Sequence, residues 1–382
     1  TPVYGPLYDS LLDWRQEHDL DFLLKASEMR TKSLKTISDT RTTVAEFFNC
    51  KRENVALINN FSTGLNMLLE GLDKKEKVLL LENDYPSVDW PFASRGFPIS
   101  YVKMDAHLEQ HIRDTVKKEN ISILALSVVQ WQNGIKIDLE FLKDLKKEHP
   151  DLLVIADGTQ FLGTTSFDFE ESGIDVLGAS AYKWLLAGYG NGLMLFKDVV
   201  KERCALKTIG FNAANARPEL KDEVRFARRF EAGHLSCLNF GSLKFSLDFL
   251  SGIGKDKIEQ HNIRLAEKAK REFTQLRLLQ DVVVKRKEHS TIFNIQGDNS
   301  LFQLLIDNDV ICAQRGDGIR FGFHFYNTEN DIDVIVISSD SVAWYENVNG
   351  MGLFGAAQII ESSLPQERSV FAEDIDGEAL TT

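Results

Sequence analysis

Lys183 stands where a solvated lysine is out of place, between Tyr182 and the apolar Trp184-Leu185-Leu186, with Gly188, Gly190 and Gly192 following. Burial there would lower its pKa and release the neutral amine, the form that makes an imine with an aldehyde. Asp157 lies 26 residues upstream, directly after the apolar run LLVIA (152–156). An acid that stays charged at that remove suits the ring nitrogen of pyridoxal phosphate, the cofactor that uses such an imine as an electron sink.

Both residues need elements that hold them still. LLVIA reads as a buried parallel strand, ISILALSVV (121–129) as another buried strand, VALINN (55–60) as a short strand, and VLLLE (78–82) as the strand before Tyr85. Helical patterns fall between them: Thr31 to Cys50, with Val44, Ala45, Phe47 and Phe48 on its packed side; LNMLLEGL; and LEFLKDLKKEH, with Leu139, Leu142 and Leu145 in one stripe before Pro150. Strands alternating with helices predict a mostly parallel sheet. Tyr85, Gln130, Asp157 and Lys183 each follow an apolar strand within a few residues, and such sheets bind ligands outside the carboxyl ends of their strands. The turn Phe61-Ser62-Thr63-Gly64 leads from a strand into a helix. Unbonded N–H groups at such a helix start suit a phosphate, and Ser62 or Thr63 equally suits a helix cap.

Asp157-Gly158-Thr159-Gln160, then Ser180-Ala181-Tyr182-Lys183-Trp184 and a Gly-x-Gly-x-Gly tail, resemble the class V aminotransferase and cysteine desulfurase family of pyridoxal phosphate enzymes. The resemblance runs, with gaps, from about residue 30 to about residue 340. It implies an α/β fold of the aspartate aminotransferase type (fold type I): a large domain with a mostly parallel sheet flanked by helices, plus a smaller α+β C-terminal domain. It also implies that Lys183 carries the cofactor and later acts as general base, while Asp157 keeps the pyridine nitrogen protonated. Ser62 and Thr63 would hold the phosphate, Tyr85 would stack on the ring, and Gln160 and Ser180 would hold the cofactor hydroxyl and phosphate. Arg229-Phe230-Glu231-Ala232-Gly233-His234 is similar to the family's Phe-Glu-x-Gly-Thr segment, which reaches the partner's phosphate across a dimer interface. His234 replaces the threonine and equally suits a structural histidine.

The smaller domain is expected at 240–346, after a large cofactor-binding domain at 30–239. Residues 1–29 form an entry segment packing with the small domain, and 347–382 an acidic tail, helical or disordered, that has no counterpart in the family. In the small domain EQHNIRLAEKAKREFTQLRLL reads as a surface helix, VVVKR and STIFNIQ as strands, and VICAQR with GIRFGFHFYN as a strand pair. Along the last strand Ile319, Phe321, Phe323 and Phe325 alternate with Arg320, Gly322, His324 and Tyr326, so Arg320 points away from the apolar core. The family has an arginine there, a few residues before Tyr-Asn-Thr (326–328), and it grips the substrate's α-carboxylate.

A net charge of −13 with no basic cluster argues against a nucleic-acid partner. Cys50, Cys204, Cys237 and Cys312 form no metal-type pair and read as reduced thiols of a cytoplasmic protein. No apolar run approaches a membrane span, and TPVYGPLYDSLLDWRQEHD lacks the features of a signal peptide. Transamination of a small amino acid, with a keto-acid acceptor and a homodimeric enzyme, is the expected outcome. Elimination or racemisation of a sulfur-containing amino acid is the alternative. A non-catalytic cofactor-binding regulator would carry a DNA-binding segment and a basic patch, and neither is present. Family desulfurases use a mobile-loop cysteine well upstream of the arginine and a histidine before the lysine. Here Tyr182 holds that place, and Cys312, eight residues before Arg320 in an expected strand, reads as core. Desulfurisation is therefore disfavoured.

Overall fold

The computed structural model describes residues 5–215 and 217–347, and of 340–347 the backbone alone. The acidic tail expected from 347 lies, beyond Asn347 itself, outside the described residues. Two compact units emerge among these residues, one of 5–130 with 137–254, the other of 131–136 with 255–347.

The larger unit is built on seven strands: β1 (Val55–Ile58), β2 (Val78–Leu81), β3 (Ile99–Val102), β4 (Ile123–Ser127), β5 (Leu153–Asp157), β6 (Val176–Ser180) and β7 (Gly192–Phe196). Their order is β1-β7-β6-β5-β4-β2-β3. Neighbours from β3 to β6 are parallel, and β7 alone runs against its neighbours β6 and β1. Every strand except β3 is buried along its whole length. That is why they read as unbroken apolar runs rather than alternating ones.

Helices α1 (Asp9–Lys25), α2 (Met29–Phe47), α3 (Phe61–Leu69), α4 (Pro86–Ala93), α5 (Leu108–Glu119), α6 (Leu139–Glu148), α7 (Val199–Arg203) and α8 (Cys237–Ile253) complete this unit. Asp138 caps α6 by accepting the Glu140 and Phe141 N–H groups, and the helix buries Phe141, Leu142 and Leu145. α3 lies tight on the sheet because β6 has a glycine beneath it. A Cβ on Gly178 would sit 2.8 Å from the Phe61 ring and 2.7 Å from Met194 Sδ. Both α1 and α8 belong to this unit, and Tyr8, just before α1, stacks on Phe249 of α8 at 4.3 Å. The described part of the entry segment thus packs within the larger unit, and the smaller unit joins Trp131–Lys136 to the chain that resumes at Lys255 rather than at 240.

The smaller unit contains α9 (Lys255–Gln275), α10 (Asp281–Lys285), β8 (Ile292–Gln296), α11 (Asn299–Asp307), β9 (Ala313–Arg315), β10 (Gly318–Gly322) and α12 (Glu329–Asn347). Its sheet is antiparallel, in the order β8-β10-β9. Three expectations change here. Of VVVKR, all but Arg286 is helical, within α10. α9 is no surface helix, since Ile258, Leu265, Ala269 and Phe273 form a buried stripe at helical spacing. The last strand stops at Gly322, so Phe323 and Phe325 are buried beyond its end.

Candidate active site

Asp157 is the last residue of β5, and Lys183 follows the end of β6 by three residues. Around the lysine the chain closes a turn: Leu186 N–H donates to Lys183 O at 3.2 Å and Ala187 N–H to Ala181 O at 3.1 Å. Leu186 takes a left-handed backbone, φ 54°, to make that turn, a conformation that costs an L-residue roughly 1–2 kcal/mol. Beneath it, Gly5 N–H donates to Tyr182 O at 2.8 Å. Any side chain at Gly5 would collide with the Lys183 carbonyl oxygen. The lysine is half-buried, so it is less withdrawn from water than its apolar sequence neighbours predict. Its Nζ lies 5.9 Å from the Tyr85 ring centroid and 5.9 Å from that of Tyr182, which stacks on Tyr189.

Asp157 is 6% exposed. Its Oδ1 accepts the Thr159 N–H at 2.8 Å, and the Thr159 hydroxyl also bonds the carboxyl. Burial pushes this acid up to about 6, against the pull of Thr159 and the Lys183 charge; Asp84 pushes it further the same way. Among the described residues none makes an ion pair with it. Such a carboxylate suits a cationic ring nitrogen, and an amine close by suits an aldehyde, so these residues fit pyridoxal phosphate.

The other expected residues cluster at the same sheet end. Tyr85 follows β2 and is the residue before α4. Ser180, buried at the end of β6, accepts the Phe61 N–H at 2.9 Å and donates its own N–H to Thr159 Oγ1 at 3.1 Å. Gln160 is buried, with its carbonyl oxygen engaged by the Trp184 indole at 2.8 Å. Gln130 donates to Asn83 O at 3.2 Å. The cap of α3 is Asn60, whose side chain accepts the Thr63 N–H at 2.9 Å. Ser62 and Thr63 therefore sit inside the first turn and do not cap it; Ser62 Oγ donates to Ser87 Oγ at 2.8 Å. His234 is exposed, not packed as a structural histidine would be.

Arg320 belongs to the smaller unit and does not lie on an open face. It is 3% exposed, donates to Trp131 O at 2.7 Å and lies 5.9 Å from the Trp131 ring. Cys312 precedes β9 rather than lying inside a strand, and is half-buried rather than core. Burial pushes its thiol up to about 11. Sequence reasoning passed over Asp84, a buried acid between β2 and Tyr85. The signal that singled out Asp157, an acid just after an apolar strand, is present there too.

The aminotransferase class-V family model matches residues 24–335. A probable cysteine desulfurase of Ureaplasma parvum is 23% identical, over 90% of this chain and 92% of that protein. The uncharacterized aminotransferase YcbU of Bacillus subtilis is also 23% identical, over 82% and 85%. Among solved structures, a cysteine desulfurase from Thermococcus onnurineus superposes with a TM-score of 0.75 at 16% identity, over 88% of this chain and 91% of that one. A cystine C–S lyase bound to its product cysteine persulfide gives 0.77 at 18%, over 89% and 96%. These likenesses carry the α/β expectation of a mostly parallel sheet flanked by helices. They also correct one expectation: with relatives named cysteine desulfurase along most of the chain, setting desulfurisation aside has no support.

Proposed function

The chain belongs to the aminotransferase class-V family of pyridoxal phosphate enzymes, and from that premise we propose that it is an aminotransferase of a small amino acid. One observation carries the reading: the Lys183 amine stands 5.9 Å from each of two tyrosine ring centroids, and its charge acts on a buried carboxyl that burial pushes up to about 6. Bound pyridoxal phosphate would supply the electron sink for the bonds at the substrate's α-carbon. Lys183 is the residue that would hold the cofactor, and its amine would then serve as general base for the α-proton. Asp157 would answer the charge of the ring nitrogen, and Tyr85 would pack on the ring. The first turn of α3, with Ser62 and Thr63, would hold the phosphate together with Ser180, and Gln160 would hold the ring hydroxyl. Arg320 would serve the substrate carboxylate.

The larger unit also has a cavity of about 1160 Å³ lined by Met29, Arg30, Ile37, Arg52, Arg225 and His234. Its mixed apolar and cationic wall, with exposed Leu23 and Leu24 on the helix that supplies Phe22 to it, suits a second copy of the chain in a homodimer. Four free cysteines among the described residues suit a cytoplasmic location. No helix among those residues is long and apolar enough to cross a membrane.

A second reading is carbon–sulfur cleavage of cysteine or cystine, favoured by the names of the relatives and by the half-exposed position of Cys312. A panel of amino acids, with and without an added keto acid, separates the two. Keto-acid product that needs the acceptor supports transamination. Alanine with persulfide sulfur, or pyruvate with sulfide, from acceptor-free reactions replaces it with the second reading, and loss of optical rotation alone replaces it with racemisation. In the same series Lys183→Ala is expected to lose the visible absorbance of the bound cofactor along with turnover, by a factor of about 10³ or more. A retained band would move the cofactor to another lysine.

A further inference from the structure

β2 and β4 pair only at Val78↔Ile123 and Leu79↔Leu124, although both strands continue toward the site. Where that ladder stops, a side chain takes over. Asp84 Oδ2 accepts the Ser127 N–H at 2.8 Å, its Oδ1 accepts the Tyr85 N–H at 2.7 Å, and the Ser127 side chain bonds the carboxyl as well. Ser127 is in turn the ladder partner of Asp157 across β4 and β5. One carboxylate thus ties together the strand end that carries the candidate stacking ring, the middle strand, and the strand end that carries the candidate pyridine partner.

A carboxylate is a costly choice for that tie. Asp84 is 7% exposed, and removing such a charge from water costs several kcal/mol. Burial pushes its carboxyl up and the like charge of Asp89 of α4 adds to that, against the hydrogen bonds from Ser127 and Tyr85; Asp84 in turn pushes Asp157 up while the Lys183 charge pulls it down. A neutral asparagine could accept only one of the two N–H groups well and would turn a donor toward the other. A carboxylate offers each of the two N–H groups, of Tyr85 and of Ser127, its own oxygen as acceptor. With Pro86 opening α4 immediately afterwards, the Tyr85 backbone is fixed from both sides, and its ring stays on the Lys183 side of the turn.

We propose that Asp84 is a positioning residue that sets where the Tyr85 ring stands over the cofactor, an inference that rests on reading Lys183 and Asp157 as a pyridoxal phosphate site. The test is a double-mutant cycle on cofactor affinity: apoprotein titrated with pyridoxal phosphate, followed by its visible band, for wild type, Asp84→Asn, Tyr85→Leu and the double variant. Asp84→Asn is expected to weaken binding by about tenfold on the wild-type background and by less than about twofold once the Tyr85 ring is gone. An equal loss in both backgrounds, or an affinity for Asp84→Asn within about twofold of wild type, overturns the proposal. The melting point of each apoprotein is read alongside, since a purely structural Asp84 would lower it without that dependence on the ring. Should Asp84→Asn not fold, Asp84→Glu takes its place in the cycle. It keeps both acceptors and the charge but moves the turn by one methylene, and wild-type affinity in that variant overturns the proposal too. Failure of the underlying reading looks different: wild type itself would give no band, or Lys183→Ala would keep it, and the role of Asp84 would fall with it.

Discussion

Glu231 and Asp157 are both carboxylates withdrawn from water in the larger unit, and the chain treats them in opposite ways. The Glu231 side chain has no exposure at all, and it is fully bonded: Arg41 donates to Oε1 at 2.7 Å, Arg228 pairs with Oε2, and the Leu57 N–H of edge strand β1 donates to Oε1 at 2.9 Å. Asp157 has Thr159 on one side and only the more distant pull of Lys183 for a cation. Glu231 is finished as structure, tying α2 and β1 to the segment at 226–231. Asp157 is finished only when a cation arrives, which is the property a site for a protonated pyridine needs. A buried acid with its partners already in place belongs to the scaffold, whereas one left short of them marks chemistry.

Breaking Glu231 should show the larger effect on stability. Glu231→Gln leaves one buried and one half-buried guanidinium group facing an amide and is expected to cost about 3–5 kcal/mol in urea unfolding of the apoprotein. A cost below about 1 kcal/mol would mean that the cluster behaves like a surface pair, and the contrast with Asp157 would dissolve.

Asp157→Asn should act in the opposite direction. The folded chain keeps the Asp157 proton up to about pH 6, against 3.8 for an unperturbed carboxyl. The folded state therefore binds more protons than the unfolded one between roughly pH 4 and 6, and stability falls as pH rises through that window. Removing the charge is expected to raise apoprotein stability above pH 6 by up to about 3 kcal/mol, with no gain below about pH 4. Cofactor retention should fall at the same time. Unfolding curves at the two ends of that range decide it, and a variant less stable than wild type at pH 8 would place Asp157 with Glu231.

The smallest change sharpens the comparison. Thr159→Val takes one bond from Asp157 and leaves the Ser180 N–H without its acceptor. It is expected to cost about 1–2 kcal/mol and to move the upper edge of the pH window higher, because Thr159 lowers the Asp157 pKa. An unmoved edge would show that burial alone sets that acid.

Much of this site was legible in the sequence. Buried apolar runs announce themselves by composition, and Tyr85, Gln130 and Asp157 each follow one within a few residues, so their shared sheet end could be read from order alone. Partners far along the chain could not. The cation partners of Glu231 include Arg41, 190 residues away, and Arg320 donates to a carbonyl 189 residues away. Alternation along β10 placed Arg320 on an open face, yet Trp131 lies there. VVVKR misled because β-branched residues favour strands, whereas its first four residues settled in the five-residue helix α10.

The sequence by itself determined which segments become buried strands and which residues stand at their carboxyl ends, because burial on both faces leaves its mark on every residue of a run. Only the tertiary structure decided which buried charges are answered and which are left waiting. That depends on groups brought together from distant parts of the chain, and local pattern holds no record of them.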